Sequence, residues 1–361
     1  MVLIHFASIK EEKFSGVGVV VPQHVKNQQE ITDVALVNIT NKRIKGVENQ
    51  YKYSKGFSID SLPLPFNKPD LVVFHEIYYP PFLRIYKELL KNNIPYIVVP
   101  HGGTSIYAQR IKRTKKVFAN FLLFNRYINN ASAIHYLSKQ EMDESIFKNN
   151  GFIVPNGIDE FEERNHFFDK SKISFTYIGR IDIYHKGLDL LLSSFESVIK
   201  ENRFKNFILK IYGPENDDAE KIKEIIKEKK LSGYIKYCGK IEGQEKKKEL
   251  LKTDFFIQTS RFEGMPMGVL EALSYGIPCC VTKGTNLSEI ISKYNAGYYC
   301  DNYVEDIIKM INLVLSADYN YIDMEINSKK LIRENYSWSL IREQTLNIYA
   351  MYAHRGRDNV K

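Results

Sequence analysis

The sequence predicts an α/β protein made of two doubly wound, Rossmann-like domains that face each other across a central cleft. Three observations lead there. Strand-like runs rich in Val, Ile, Leu, Phe and Tyr alternate with helix-like runs almost throughout, the pattern of parallel sheets covered on both faces. At 361 residues, 44% of them hydrophobic, the chain is too long for one ordinary domain and carries enough apolar surface for two cores. The alternation breaks once, at Val154-Pro-Asn-Gly-Ile-Asp159 and the polar stretch that follows to Ser171, and then restarts. The expected division is 1–155 and 156–336.

In the first domain, strands are expected over 2–7, 34–39, 71–74, 96–99 and 133–137, where short apolar runs are bounded by turn residues. Helices are expected over 19–28, 81–91, 107–129 and 139–147. Ser138 followed by Glu141 is a capping box for the last of these. Residues 41–67, rich in Asn, Lys and Pro, give no clear period. In the second domain, strands are expected over 173–178, 207–212, 234–238, 254–259, 278–282 and 297–300. Helices are expected over 187–201, 219–230, 244–252, 266–275 and 304–316. Residues 338–352 have an amphipathic helical period, and a segment 337–354 is expected to pack back on the first domain.

Composition narrows the function. No apolar run approaches the roughly 18 residues of a membrane span, and the first residues read as a core strand followed by charges rather than a secretory signal. The four cysteines form no Cys-x-x-Cys pair, so neither a zinc ribbon nor a redox motif is expected. The net charge of +8 lies wholly in the first half. Residues 1–155 hold 20 Lys and Arg against 12 Asp and Glu, and the remainder holds 31 of each. Arg110, Lys112, Arg113, Lys115 and Lys116 cluster just before the apolar stretch Val117 to Ile128. This resembles an amphipathic helix at an anionic membrane surface, and 110–128 is the candidate contact; an ordinary half-packed helix has the same pattern. No recognition motif accompanies the basic excess, so nucleic-acid binding is not expected.

The chemistry concentrates in residues 260–278. A strand ends near Thr259, a loop with Gly264, Pro266 and Gly268 follows, and a helix starts near Pro266. A strand end, a small-residue loop and a helix N-terminus together suit an anion. Glu263 on the loop and Glu271, about one and a half turns into the helix, can face one ligand that combines an anionic group with hydroxyls. Arg180 closes the first strand of this domain and Lys186 opens the helix after it, where a bidentate fork and a point charge can clamp a diphosphate. In the first domain, His75-Glu76 and Pro100-His-Gly-Gly103 end neighbouring strands and bring His75, Glu76, His101 and Gly102 to the carboxyl edge of the sheet. Ser15-Gly-Val-Gly18 follows the first strand. It is not a dinucleotide fingerprint, because position 21 is Val where a third Gly would stand, and this disfavours a dehydrogenase.

Taken together these motifs resemble the retaining glycosyltransferases of family 4, which have the two-domain B-type fold. The matching pieces are Tyr-Ile-Gly-Arg-(x)5-Lys-Gly-Leu-Asp at 177–189, Ile-Tyr-Gly-Pro at 211–214, Cys-Gly-Lys-Ile at 238–241 and Glu-(x)7-Glu at 263–271. Val-Pro-Asn-Gly-Ile-Asp at 154–159 and Ser-Trp at 337–338 also fit; the first domain matches loosely. The resemblance implies that Arg180 and Lys186 bind the donor diphosphate and that Met265, Met267 and Gly268 offer amides to phosphate and sugar, with Gly264 and Pro266 in the same loop. Glu263 would touch the transferred sugar and Glu271 the ribose hydroxyls. Gly239, Lys240 and Ile241 would border the base, Gly16 and Gly18 would lie near the reacting phosphate, and His101 beside the transferred sugar. His75, Glu76 and Gly102 would lie near sugar or acceptor.

The implied reaction moves a sugar from a nucleotide-diphosphate sugar, a UDP-sugar foremost, to a hydroxyl with retention. The catalytic set would be His101, Arg180, Lys186 and Glu263. No Asp-x-Asp occurs, so no metal and no cofactor are expected. The expected acceptor is a lipid-linked or polymeric glycan in bacterial capsule, O-antigen, exopolysaccharide or teichoic acid assembly, with the protein cytoplasmic and peripheral on the inner face of the plasma membrane. Two other readings share the architecture: a nucleotide-sugar epimerase, and a non-catalytic nucleotide-sugar-binding subunit of a transferase complex. The second would be expected to lose Arg180, Lys186 or the glutamate pair, all of which are present.

Overall fold

The computed structural model describes residues 1–10, 16–106, 109, 113–159, 164, 167–201, 203–204, 206–316 and 319–358. They form two compact units, Met1–Gly157 with Trp338–Lys361, and Ile158–Ser337.

In the first unit the strands are β1 (Val2–Ala7), β2 (Asp33–Asn38), β3 (Gln50–Lys52), β4 (Leu71–His75), β5 (Tyr96–Val99), β6 (Ala133–Tyr136) and β7 (Gly151–Ile153). They make one sheet in the order β3-β2-β1-β4-β5-β6-β7, and every pairing is parallel. Burial on both faces explains the near-continuous apolar runs. One face packs Phe6, Phe74, Phe82, Tyr96 and Tyr127 as an aromatic cluster, with Phe74 edge-on to both tyrosines. Helices α1 (Gly16–Gln29) and α2 (Pro80–Lys91) follow β1 and β4. The edge strands β3 and β7 were not expected; both are three residues long, too short for a period-2 pattern to register.

Three helices differ from expectation. The stretch expected to be one helix over 107–129 is α3 (Arg113–Ala119), a π-helical turn over Asn120–Phe124, and α4 (Asn125–Asn129); residues 107, 108 and 110–112, including Arg110 and Lys112, lie outside the described residues. Helix α5 (Lys139–Asp143) stops four residues early, because the chain after it is drawn into a bridge between Ser145 and Ser105, and Ile146 N–H bonds Thr104 O at 3.0 Å. Helix α1 begins at Gly16 rather than Val19, so Gly16 and Gly18 lie in its first turn instead of on a loop; Ser15 is outside the described residues.

The second unit contains β8 (Ile173–Ile178), α6 (Leu188–Glu201), β9 (Phe207–Tyr212), α7 (Asp217–Glu228), β10 (Ile235–Gly239), α8 (Gly243–Lys252), β11 (Phe255–Gln258), α9 (Met267–Ser274), β12 (Cys279–Thr282), α10 (Ser288–Tyr294), β13 (Gly297–Cys300), α11 (Val304–Ser316) and α12 (Tyr321–Asn335). Its sheet, again all parallel, runs β10-β9-β8-β11-β12-β13. Alternate residues of one strand enter opposite cores: Phe255 and Ile257 pack with α6 and α11, whereas Phe256 packs with α9. Cys279 and Cys280 divide the same way, and all four cysteines are unpaired thiols.

The last helix, α13 (Trp338–Asp358), belongs to the first unit. Tyr349 Oη lies 3.0 Å from His135 Nδ1 on β6, and Arg342 pairs with Glu30. Trp338 lies edge-on to His24 and covers Gly157, where a Cβ would come within 2.3 Å of the indole. Glycine in Asn-Gly-Ile-Asp is thus required by the tryptophan. No described helix is long and apolar enough to cross a membrane.

Candidate active site

In the second unit the strand order reverses at β8, whose neighbours are β9 on one side and β11 on the other. Ligands of open α/β sheets bind at such a reversal, beyond the carboxyl ends of the strands. The loops leaving β8 and β11 are those carrying Arg180, Lys186 and Glu263. Three strands apart in chain order, they are adjacent in space.

The two loops are fastened together. Arg261 N–H bonds His185 O at 3.0 Å, and Thr259 Oγ1 bonds Gly187 O at 2.8 Å. Gly187 has φ +62°, and a Cβ there would sit 2.0 Å from Thr259 O, so no other residue lets the loops approach. The Arg261 guanidinium forks onto Asp189 at 2.7 and 2.6 Å, donates to Tyr184 O and lies over the Tyr184 ring. Asn302 and Asn286 hold the carbonyls of Ser260 and Glu263. Arg261 was not singled out from the sequence; Asp189 in the first turn of α6 was the available signal.

Lys186 Nζ meets Glu263 Oε1 at 2.5 Å, and the same oxygen accepts from Ser260 Oγ at 2.6 Å and Gln258 Nε2 at 2.9 Å. The Glu263 side chain is only 8% exposed. Burial alone would push its carboxyl upward; Lys186, the Ser260 hydroxyl and His185 outweigh that and hold it below the usual carboxylate range. Arg180, half exposed, donates to His185 Nδ1 at 2.7 Å and lies 3.7 Å from Asp182. An arginine can only donate, so Nδ1 of His185 carries a lone pair. The ring stacks on Phe262 with centroids 4.2 Å apart, and burial lowers its pKa. His185 is a second residue the sequence reading passed over, its neighbours Arg180 and Phe262 being far apart in the chain.

Glu271 on α9 pairs with Lys246 on α8. Glu271, expected to meet the ribose, thus has a resident cation that the sequence did not suggest. Helix α9 starts with Pro266 as N-cap and no side-chain cap, and this leaves its dipole end open to an anion. The Met267 amide, expected to meet phosphate, donates to Met265 O at 3.1 Å. Gly264 and Met265 lie on the loop and Gly268 in the first turn of α9. Gly239 ends β10 with φ +75° and accepts from Gly213 N–H; Lys240 pairs with Glu242 and Ile241 is buried.

In the first unit the order reverses between β1 and β4. His75 ends β4, and His101 follows β5 with φ +48°, a left-handed conformation also taken by Glu76 (φ +69°). Such strain is held by its surroundings. Here the holder is Glu141, whose carboxylate accepts from Gly102 N–H and, at 2.7 Å, from Leu137 N–H. Ser138 does cap α5 through Glu141 N–H, but the glutamate reaches the His101–Gly102 turn instead of closing the box. Glu76 accepts from Tyr79 Oη at 2.6 Å. Among the described residues no group of three or more His, Cys, Asp and Glu is arranged to hold a metal.

Two parallel α/β sheets, each with its functional loops at a strand-order reversal, define the glycosyltransferase B-type fold. The Anabaena protein HepE, solved in complex with UDP, aligns over 97% of this chain and 100% of its own, with a TM-score of 0.76 at 12% identity. Residues 158–331 match the family model for glycosyl transferases group 1. A protein of the cps region of Klebsiella pneumoniae is 24% identical over 97% of this chain and 98% of its own length. A human phosphatidylinositol N-acetylglucosaminyltransferase protein is 22% identical over 55% of this chain, which spans only 40% of that relative. The likeness to solved structures shows the fold, and the match to the group 1 glycosyl transferase model lies in the second unit alone.

Proposed function

We propose that the protein transfers a sugar from a nucleotide-diphosphate sugar, a UDP-sugar foremost, to a hydroxyl of a lipid-linked or polymeric glycan, with retention at the anomeric carbon. The observation that carries this is the Lys186–Glu263 pair at the β8/β11 reversal with Arg180 beside it. The chemistry required is stabilisation of charge on a departing diphosphate. Lys186 and Arg180 supply it, with the uncapped start of α9 as a third positive end, and no metal is needed for that role. Glu263, an ionised acceptor, takes a sugar hydroxyl, and Glu271 takes the ribose. The departing phosphate oxygen collects the acceptor proton.

The acceptor side of the reading rests on the α3–π-turn segment. Val117, Phe118, Phe121, Leu122 and Leu123 are each at least half exposed, and Arg113, Lys115 and Lys116 precede them. A cluster of exposed apolar side chains beside cations suits an anionic bilayer, with the protein peripheral on the cytoplasmic leaflet. The sequence relative from a cps region supports a polysaccharide acceptor.

Thermal-shift titration with UDP-, GDP-, ADP- and CMP-sugars tests the donor. One nucleotide class should raise the melting temperature, and Lys186→Ala should abolish that rise. A variant that binds and turns over donor like the wild type sinks the assignment.

A further inference from the structure

Behind His101 lies a chain of buried polar groups that the proposed reaction does not use. His101 Nε2 is 2.9 Å from His75 Nδ1; His75 Nε2 is 2.8 Å from His5 Nδ1; His5 Nε2 is 2.8 Å from Gln28 Oε1. The ring planes are inclined by 18° and 31°, with centroids 5.1 and 5.2 Å apart, so the rings meet edge to edge through their nitrogens. His5, His75 and Gln28 are each no more than 2% exposed, whereas His101 is partly open.

With Gln28 Oε1 turned toward His5, as in the structure, the terminus sets the proton order. A carbonyl oxygen accepts only, so His5 must carry its proton on Nε2 and a lone pair on Nδ1. His75 must then donate from Nε2 and accept at Nδ1, and His101 must donate from Nε2. The reverse order is equally self-consistent and would require the Gln28 amide nitrogen to face His5. As the amide stands that nitrogen is buried and without a partner among the described residues, and turning it over would give it an acceptor at His5, so the amide's orientation is what the test below reads. Two further features set the chain apart from ordinary core packing: His101 is held at positive φ, and Glu141 pins the adjacent Gly102.

We propose that Gln28, His5 and His75 form a tautomer-setting wire that holds His101 as a neutral imidazole protonated on Nε2, with its Nδ1 lone pair presented to a sugar hydroxyl. Charging the wire is opposed from all sides. Burial disfavours the imidazolium at each of the three rings, and His24 on α1 and His135 on β6 add repulsion to His5, His75 and His101. Two carboxylates beside these turns are otherwise engaged, Glu141 by the Gly102 and Leu137 amides and Glu76 by Tyr79. Gln28, His5 and His75 are positioning residues, acting through His101. The inference rests on the reading of His101 as the sugar-facing histidine.

The test is nitrogen NMR of the intact protein labelled at its histidine rings, for the wild type, Gln28→Met and Gln28→Glu. The methionine has the same reach and no acceptor; the glutamate keeps an acceptor and cannot present an N–H when ionised. His101 should be a single Nε2–H tautomer in the wild type and in Gln28→Glu, and a mixture in Gln28→Met. In parallel, kcat/KM for the accepted nucleotide sugar should fall about tenfold in Gln28→Met, as for one lost ligand hydrogen bond. It should recover in Gln28→Glu, with UDP affinity unchanged in both. A wild-type His101 protonated on Nδ1, or a Gln28→Met variant with wild-type kcat/KM, overturns the proposal. If the wild type turns over no nucleotide sugar at all, the transferase reading fails instead, and the NMR result still decides whether the wire exists.

Discussion

Lys186→Ala tests the energetics of the donor site more sharply than its loss of activity alone. Lys186 and Glu263 are 15% and 8% exposed, so this is a largely desolvated pair. Removing one partner of a buried pair costs about 3–5 kcal/mol, because the other charge is left without compensation. Here Ser260 and Gln258 still donate to Glu263 Oε1, and we expect about 2 kcal/mol. The pH dependence carries the sign. In the wild type the Glu263 carboxyl is held below its ordinary value of 4.5, so its contribution is present above that value and is lost as pH falls through the folded pKa. Without Lys186 the largest influence opposing burial is gone, only the Ser260 and Gln258 donors and His185 remain against it, and the folded pKa rises. The deficit of the variant should then be largest near pH 7 and shrink as pH falls toward 5. Urea unfolding of the wild type, Lys186→Ala, Glu263→Gln and the double variant across pH 5–8 measures both effects. A coupling energy below about 0.5 kcal/mol, or a deficit flat with pH, refutes the idea that Lys186 is what keeps Glu263 ionised. Catalytically, the same substitution should lower kcat by about 10²–10³-fold.

Three other variants bear on the site and its partners. Gly187→Ala should cost about 2–4 kcal/mol in urea unfolding, since its Cβ would meet Thr259 O at 2.0 Å; a near-neutral variant would mean the two loops are not fastened there. Glu271→Gln should weaken UDP binding about tenfold by calorimetry while changing stability by less than about 1 kcal/mol, because the Lys246 pair it loses is partly solvated. Phe118→Ser with Phe121→Ser should reduce co-sedimentation with phosphatidylglycerol vesicles by at least about tenfold, given two largely exposed rings, and leave the melting temperature unchanged. Equal sedimentation of variant and wild type would remove the membrane from the acceptor reading.

Much of this fold was legible because both sheets are buried on two faces and write themselves as apolar runs. Val2–Ala7, Tyr96–Val99, Ile173–Ile178 and Phe207–Tyr212 are strands from end to end. Spatial order was less legible. That β11, three strands after β8, lies beside it follows only from the doubly wound topology and not from any local pattern, and that adjacency is what joins Lys186 to Glu263. Side chains that serve two elements escaped in the same way. Ser138 and Glu141 announced a capping box, yet the glutamate reaches across to Gly102 instead of closing it, a contact that local spacing cannot encode. Gln28 reads as the polar end of an amphipathic helix although it is buried. A histidine inside the core strand Val-Leu-Ile-His-Phe-Ala was the visible hint of the wire.

The two units meet the cost of buried polarity in opposite ways, and the difference follows from what each is proposed to hold. A diphosphate needs cations, and an uncompensated cation would be expensive in a folded core. Each one at the β8/β11 reversal is therefore balanced at home: Arg180 by Asp182, Lys186 by Glu263, Arg261 by Asp189. The residues from 156 onward carry no net charge, so the attraction is one of arrangement and exchange rather than of excess. A sugar hydroxyl needs only a lone pair held in a known direction. Imidazoles linked end to end provide that without any charge, provided something fixed sets their proton order, and a buried carbonyl oxygen does so at the expense of an orphaned amide nitrogen. Exchanging the strategies would fail in both places. A neutral wire could not stabilise a leaving pyrophosphate, and a compensated ion pair at His101 would bring a buried charge to a position that needs none.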